Sequence, residues 1–343
     1  MTPDRAAELF RTSRGRRVLL LGDLMLDEWV FGSVKRISPE APIPVVKMPL
    51  TSEARAEKPG GAGNVAAILL SLGAAVKVVG LVGEDERGSR LLADLQRRGA
   101  DTSGVLVDDA RPTTHKQRIL AGRQQLLRID TESSTPIEAA LAGRVCDALR
   151  AGMREAEVVL VADYAKGLLT PASLPQECIA SARTAGLHFC ADPKPANMDL
   201  LHGASLVSPN EAEALEATGA ANGPTAPAGP GALPPPVRQA GQALLARLDA
   251  EAVFITRGEH GIAVFGRDGV VHEVPTRSEA GSVGDGTGCG DAVSAASALA
   301  LAAGATFLEA AELANAAGGV VSRFVGVHDP TPEEVVAWVQ GRG

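Results

Sequence analysis

Short apolar runs alternate along the chain with longer Ala- and Leu-rich stretches of helical period. RVLLLGD (17–23), VKVVGLVG (76–83), VVLVAD (158–163), LHFCAD (187–192) and AVFITRG (252–258) read as buried strands, several ending in polar or glycine residues. NVAAILLSLG (64–73) and GSRLLADLQRRG (88–99) read as helices stopped by Gly73 and Gly99. Strands that are apolar throughout must be covered on both faces, so the pattern predicts an α/β fold with a mostly parallel sheet between helices. Ligands in such sheets bind at the carboxyl ends of the strands.

Two segments break the rhythm. Residues 29–48 and 113–130 alternate polar and apolar positions and read as exposed antiparallel strands, either a small second sheet over the crevice or edge strands of the main one. The Pro/Gly/Ala tract at 219–236 has no periodicity and is expected to be a disordered or extended loop without function. The N-terminal MTPDRAAELFRTSRGRR carries acids among its arginines and lacks a long apolar core, which favours a short amphipathic helix over an export signal.

Composition narrows the classes. The 343 residues carry 33 basic and 41 acidic side chains, a formal charge of -8, and 3% aromatics. Nucleic-acid binding, which needs excess cations and stacking rings, is not expected. Four cysteines without paired spacing, and no membrane-length apolar run, point to a cytoplasmic protein with no membrane partner.

The chemistry concentrates in VGDGTGCGDAV (283–293), where glycines crowd the start of an alanine-rich helix. Amides at such a start converge on anions, so those of Gly288, Cys289 and Gly290 can surround a phosphoryl group while Asp291 faces an attacking hydroxyl as general base. An ordinary glycine turn with an aspartate cap fits the same residues. A second group shifts the balance: Asp23 and Asp27 in GDLMLD, with Gly60 and Gly61 in PGGAGN read as a glycine loop and Asn64 at the helix start after it, are the carboxylates, amide and close-approaching backbone that grip sugar hydroxyls.

With GGAGN (60–64) and DGTGCGD (285–291), the sequence resembles the PfkB, or ribokinase-like, family of carbohydrate kinases from about residue 16 to 338. The resemblance implies a doubly wound sheet with a β lid, forming a single kinase domain over 1–343. It places Asn210 and Glu213 of SPNEAE near Mg²⁺ and phosphate through water, and Thr256, Gly258 and Gly261 of TRGEHG at ATP, with Asn315 beside adenine. It also gives Asp285 a role in holding a monovalent cation such as K⁺.

Within the family, KRISPEAPIPVVK (35–47), QQLLRID (124–130), DYAKGLLT (163–170) and ADPKPAN (191–197) are similar to kinases of a heptose 7-phosphate that act on its anomeric hydroxyl. Asp163, Lys166, Lys194 and Arg128 thereby become candidate substrate residues, with Arg36, Lys116, Arg118 and Arg123 as further cations for the distal phosphate. No H-x-G-H motif occurs, so the kinase step alone is expected. The expected partners are a sugar phosphate and ATP, and a homodimer through the lid strands.

Overall fold

Strand β1 (Arg17–Gly22) shows why its segment is apolar throughout: Val18 and Leu20 join one hydrophobic cluster, Leu19 and Leu21 another on the opposite face. The computed structural model describes residues 1–343 apart from 50, 52–53, 123, 171–172, 221–232, 277–285, 325 and 342–343. Helix α1 (Pro3–Ser13) precedes β1, and β2 (Leu24–Ile37), β3 (Pro44–Lys47), β4 (Arg55–Gly61), α2 (Ala62–Ser71) and β5 (Ala75–Gly83) follow it. Next come α3 (Glu86–Arg97), β6 (Asp101–Asp108), β7 (Thr114–Ala121), β8 (Gln124–Thr131), α4 (Ala139–Met153), β9 (Val158–Ala162), α5 (Ser173–Thr184) and β10 (His188–Asp192). The chain ends through β11 (Leu206–Val207), α6 (Glu211–Thr218), α7 (Pro235–Leu248), β12 (Ala252–Thr256), β13 (Ile262–Gly266), β14 (Val271–Val274), α8 (Cys289–Ala302), α9 (Phe307–Val321) and α10 (Pro332–Val339).

Among the described residues the main sheet has the order β14-β13-β12-β11-β10-β9-β1-β5-β6. Pairing is parallel from β6 to β12 and antiparallel only at the β13 and β14 edge. Val65, Ile68 and Leu69 of α2, with the alanine faces of α8 and α9, cover one side. Val145 and Leu149 of α4, Ile179 of α5 and Leu244 of α7 cover the other. The doubly wound α/β architecture is therefore the one expected.

The lid is a separate sheet, β3-β2-β7-β8, with β4 also on β2. One expectation needs correcting: β2 and β7 run parallel, from Met25 opposite Thr114 to Gly32 opposite Ala121, while the other lid pairs are antiparallel. Alternation reports which face is buried and carries no information about strand direction. A second correction concerns PGGAGN, where Gly60 and Gly61 close strand β4 instead of forming a loop, and α2 starts at once. Pro59 is tolerated because β4 pairs on one side only. Of the tract at 219–236, residues 221–232 lie outside the described residues; Gly219 caps α6 in the left-handed conformation, and Pro235 and Pro236 open α7.

Candidate active site

Register brings three carboxylates to one edge. Gly22 pairs with Ala162, and Ala162 with Asp192, so Asp23, Asp163 and Asp192 line the carboxyl ends of three adjacent strands. Among the described residues none is neutralised by a cation at close range; donors hold them instead. Asp23 Oδ2 accepts the N–H groups of Tyr164 at 2.8 Å and Lys166 at 3.2 Å. Asp163 accepts from the N–H of Ala165 and Lys194, both at 2.9 Å, and from Asn197 Nδ2 at 3.0 Å. Asp192 Oδ2 accepts from Ser294 Oγ at 3.0 Å. Burial, reinforced by the like charge of Asp163, pushes Asp23 up to about 6. Burial likewise pushes Asp192 up to about 7, against the opposing charge of Lys194.

Facing this edge is the start of α8. Its N-cap, Gly288, has φ +83° and, as a glycine, brings no capping side chain of its own. A Cβ at Gly288 would stand 3.1 Å from Asn64 Nδ2, so both backbone strain and crowding favour glycine. The Cys289 N–H turns back to the Gly286 carbonyl at 3.2 Å, which leaves Gly288 and Gly290 to carry the more open amides of this turn. Asp285 and Gly284 lie outside the described residues.

Asp291, in the first turn, is partly buried and held at both oxygens. Asn64 Nδ2 donates to Oδ2 at 2.5 Å, and the Tyr164 hydroxyl donates to Oδ1. Burial raises the proton affinity of Asp291, and these two hydrogen bonds oppose the rise. Asn64 is itself buried, and its Oδ1 has no partner among the described residues. Because a carboxylate only accepts, the amide must present its NH₂ to Asp291 and its oxygen to the empty side.

The lid contributes a second set of charges. Asp27 Oδ1 pairs with Arg118 at 2.7 Å, and the Arg118 guanidinium lies 5.0 Å from the Trp29 ring. A Cβ at Gly60 would meet Asp27 Oδ2 at 2.4 Å, so glycine there is what lets the carboxylate lie against β4. Lys116 reaches Asp130 and Glu132, each at 3.2 Å, and Lys166 reaches Glu132 at 2.8 Å. Arg128 pairs with Asp130 at 2.8 Å. Burial raises the proton affinity of Glu132, but hydrogen bonds from Lys166 and Lys116 reverse this and hold its carboxyl below the usual range. Arg36 is exposed, and Arg123 lies outside the described residues.

The residues expected at nucleotide and metal are spread along the same edge. Asn210 and Glu213 form a reciprocal capping box on α6, with both bonds at 2.9 Å. Glu213 Oε1 also accepts from Lys194 Nζ at 2.5 Å. Burial works against the Lys194 charge, yet the Glu213 hydrogen bond and charge raise its proton affinity overall. Thr256 bridges to Asn210, and Gly258 and Gly261, at φ +55° and +80°, shape the turn between β12 and β13. Asn315 donates to the Pro275 carbonyl at 2.9 Å, fixing α9 to the segment after β14.

Comparison with known proteins decides the family. A family model described as pfkB family carbohydrate kinase matches residues 36–334. The chain belongs to the pfkB family. Like the other members, it is a phosphotransferase acting on a sugar hydroxyl. It is 42% identical over 328 residues to the bifunctional protein HldE of Geobacter metallireducens, and 40% identical over 334 residues to that of Geobacter sulfurreducens. Each alignment covers 96% of this chain and 64% of the relative, so the chain spans less than two thirds of their length. The ribokinase of Arabidopsis thaliana, solved with ribose and ATP, superposes with a TM-score of 0.70 at 20% identity, covering 95% of this chain and 99% of that one. At that identity the likeness shows the fold.

Three members of this pfkB site went unread in the sequence. Tyr164 touches Asp291 across 127 residues, and Ser294 and Asp192 meet across 102. Contacts of that span leave no local pattern, although a lone tyrosine directly after a buried strand was a signal available to find the first.

Proposed function

We propose that the chain acts as one kinase unit over residues 1–343 and moves the γ-phosphoryl group of ATP to the anomeric C1 hydroxyl of D-glycero-β-D-manno-heptose 7-phosphate. The observation that carries this reading is Asp291 at the glycine-capped start of α8, held by an Asn64 whose own oxygen is buried and has no partner among the described residues. A sugar hydroxyl donating to Asn64 Oδ1 satisfies that atom, and it brings the neighbouring C1 hydroxyl to Asp291. Asp291 takes the C1 hydroxyl proton as the new O–P bond forms and the bond from phosphorus to the ADP oxygen breaks. The Gly288 and Gly290 amides, with that of Cys289 once it leaves Gly286, receive charge on the transferring group. Asp23, Asp27 and Asp163 orient the sugar with Asn64 and the Gly60–Gly61 backbone, and the lid excludes water. Thr256, Gly258, Gly261 and Asn315 line the ATP side.

Among the described residues no three His, Cys, Asp or Glu side chains gather as a metal cluster. Mg²⁺ needs none, because it keeps waters and takes one or two carboxylates plus substrate phosphates. Glu213 and Asn210 suit that role through water, and Asp285 is assigned to K⁺. When bound, Mg²⁺ neutralises charge on the ATP phosphates.

The distal phosphate of the sugar supports the choice of heptose. Leaving it unpaired under a lid would be prohibitive, and Lys116, Lys166 and Arg128 cluster with exchangeable carboxylates, with Lys194 nearby on Glu213. Phe31, Val34, Ile37, Leu127 and Ile129 are exposed on the lid strands, with Ile43 in the bend before β3, which supports a homodimer formed there. None of the four cysteines forms a disulfide, in keeping with a reducing cytoplasmic setting, and no helix among the described residues is long and apolar enough to cross a membrane. Phosphorus NMR after incubation with MgATP and heptose 7-phosphate tests the reaction. A new sugar 1-phosphate signal with ADP is expected; consumption of ribose or a ketose phosphate in its place would overturn the sugar assignment.

A further inference from the structure

The chain's only tyrosine stands where the two halves of the site meet. The Tyr164 N–H donates to Asp23 at the end of β1, its hydroxyl donates to Asp291 on α8, and Lys194 Nζ lies 5.5 Å from its ring centroid. The turn that carries it is clamped on both sides. Ala165 adopts φ +55°, which non-glycine residues rarely do, and its N–H is tied to Asp163 at 2.9 Å. The Lys166 N–H then returns to Asp23 at 3.2 Å. Two buried carboxylates therefore fix the backbone from which the phenol extends, and strain is retained where it aims a side chain.

We propose that Tyr164 is the positioning residue for the base: its hydroxyl holds Asp291 Oδ1 while Asn64 holds Oδ2, turning the remaining lone pairs of the carboxylate toward the acceptor hydroxyl. The inference rests on the reading of Asp291 as general base. An ionised carboxylate offers about four lone-pair positions; two are taken here, and the others stay available to the sugar. A phenylalanine would fill the same space beside Lys194 and would lack only the donor.

The donor matters because of what else surrounds Asp291. Asp27 from β2 and Asp192 from β10 face it as like charges, Lys194 after β10 opposes them, and the first turn of α8 favours the anion. Burial raises the proton affinity of Asp291, and the Asn64 and Tyr164 hydrogen bonds, with the Lys194 charge, restrain it. Removing one of them lets the affinity climb. The phenol does not exchange roles with the carboxylate, since burial and the Asp291 charge push Tyr164 well above its ordinary value and keep it a donor.

The test is Tyr164→Phe, assayed against pH with the sugar that the wild type turns over. The acid limb of kcat/KM is expected to move up by about one pH unit, from the loss of one hydrogen bond to a charged group. At pH 7 kcat should fall about tenfold, with KM for ATP within about twofold of wild type. An acid limb that stays in place in the active variant would reduce Tyr164 to a space-filler and overturn the proposal. A second readout needs no turnover. Protein labelled with ζ-¹³C tyrosine has one such carbon per chain, and its resonance should titrate with Asp291 in wild type and lose that titration in Asp291→Ala. The same titration in both proteins would also overturn the proposal. If the resonance behaves as expected while no sugar is phosphorylated, the positioning contact stands and the reading of Asp291 as base falls.

Discussion

The crevice and the lid both carry many charges, and they treat them in opposite ways. Along the strand edge, Asp23, Asp163 and Asp192 are held by N–H and O–H donors, without a cation at close range among the described residues. On the lid and the turn beneath it, Lys116, Lys166, Arg118 and Arg128 are each paired to a carboxylate. Burial raises the proton affinity of Asp23 and Asp192, and carboxylates held by neutral donors accept hydroxyls without a counter-ion to displace. Paired cations do the reverse, since their carboxylate partners can be exchanged for a phosphate at little net cost. On the function proposed above, the crevice serves the hydroxyl chemistry and the lid holds the dianion.

The comparison breaks most visibly at the base. Asp291→Asn is nearly isosteric: its oxygen can still accept from Asn64 while its NH₂ donates to the Tyr164 oxygen, and the proton acceptor is lost; kcat should fall by about 10²–10⁴ with the fold retained, as steady-state assays and circular dichroism will read. Wild-type turnover would take Asp291 out of the chemistry.

The next effect belongs to the lid. Lys166→Ala should raise KM for the sugar phosphate by about 10–100-fold, the value of a hydrogen bond between charged groups. Glu132→Gln should lower that KM several-fold at low salt, because it frees Lys116 and Lys166. Neither change should act on a sugar lacking the distal phosphate. Equal effects on both sugars would place the dianion elsewhere.

A smaller effect sharpens the crevice side. Asp192 sits near 7 in the folded protein against an ordinary 3.8, so it binds its proton more tightly folded than unfolded. Its stabilising contribution is complete below about pH 4 and is lost as the pH rises through 7. Asp192→Asn, which can keep the Ser294 contact, should therefore melt a few degrees above wild type at pH 8, with the gap narrowing as the pH falls through 7 and closing by about pH 4. A gap independent of pH would mean that Asp192 carries no buried charge. Smallest is the lid's outer face, where Ile37→Glu should shift sedimentation from dimer to monomer and leave the fold intact.

Much of this was legible in the sequence. The strands β1, β5, β9, β10 and β12 and the helices α2, α3 and α8 follow from apolar runs closed by glycine or a carboxylate, because double burial leaves no polar positions to blur the pattern. Strand β4 was not legible, since Pro59, Gly60 and Gly61 read as a turn unless an edge position is already known. Asp291 and Asn64 came from motifs, but their shared hydrogen bond and the part of Tyr164 exist only through tertiary contact. Asn210 and Glu213 were read as ligands of metal and phosphate; the fold also uses them to cap α6, a local role that the N-x-x-E spacing equally allows.

The central claim is that the open first turn of α8 receives the migrating phosphoryl group with Asp291 beside the acceptor. A crystal structure with a non-hydrolysable ATP analogue and the sugar phosphate tests it most directly. The account predicts the terminal phosphate at the amides of Gly288 to Gly290 and the acceptor hydroxyl about 3 Å from Asp291. A triphosphate lodged away from that turn, or an Asp291 that still faces only Asn64 and Tyr164 with the sugar bound, would contradict it.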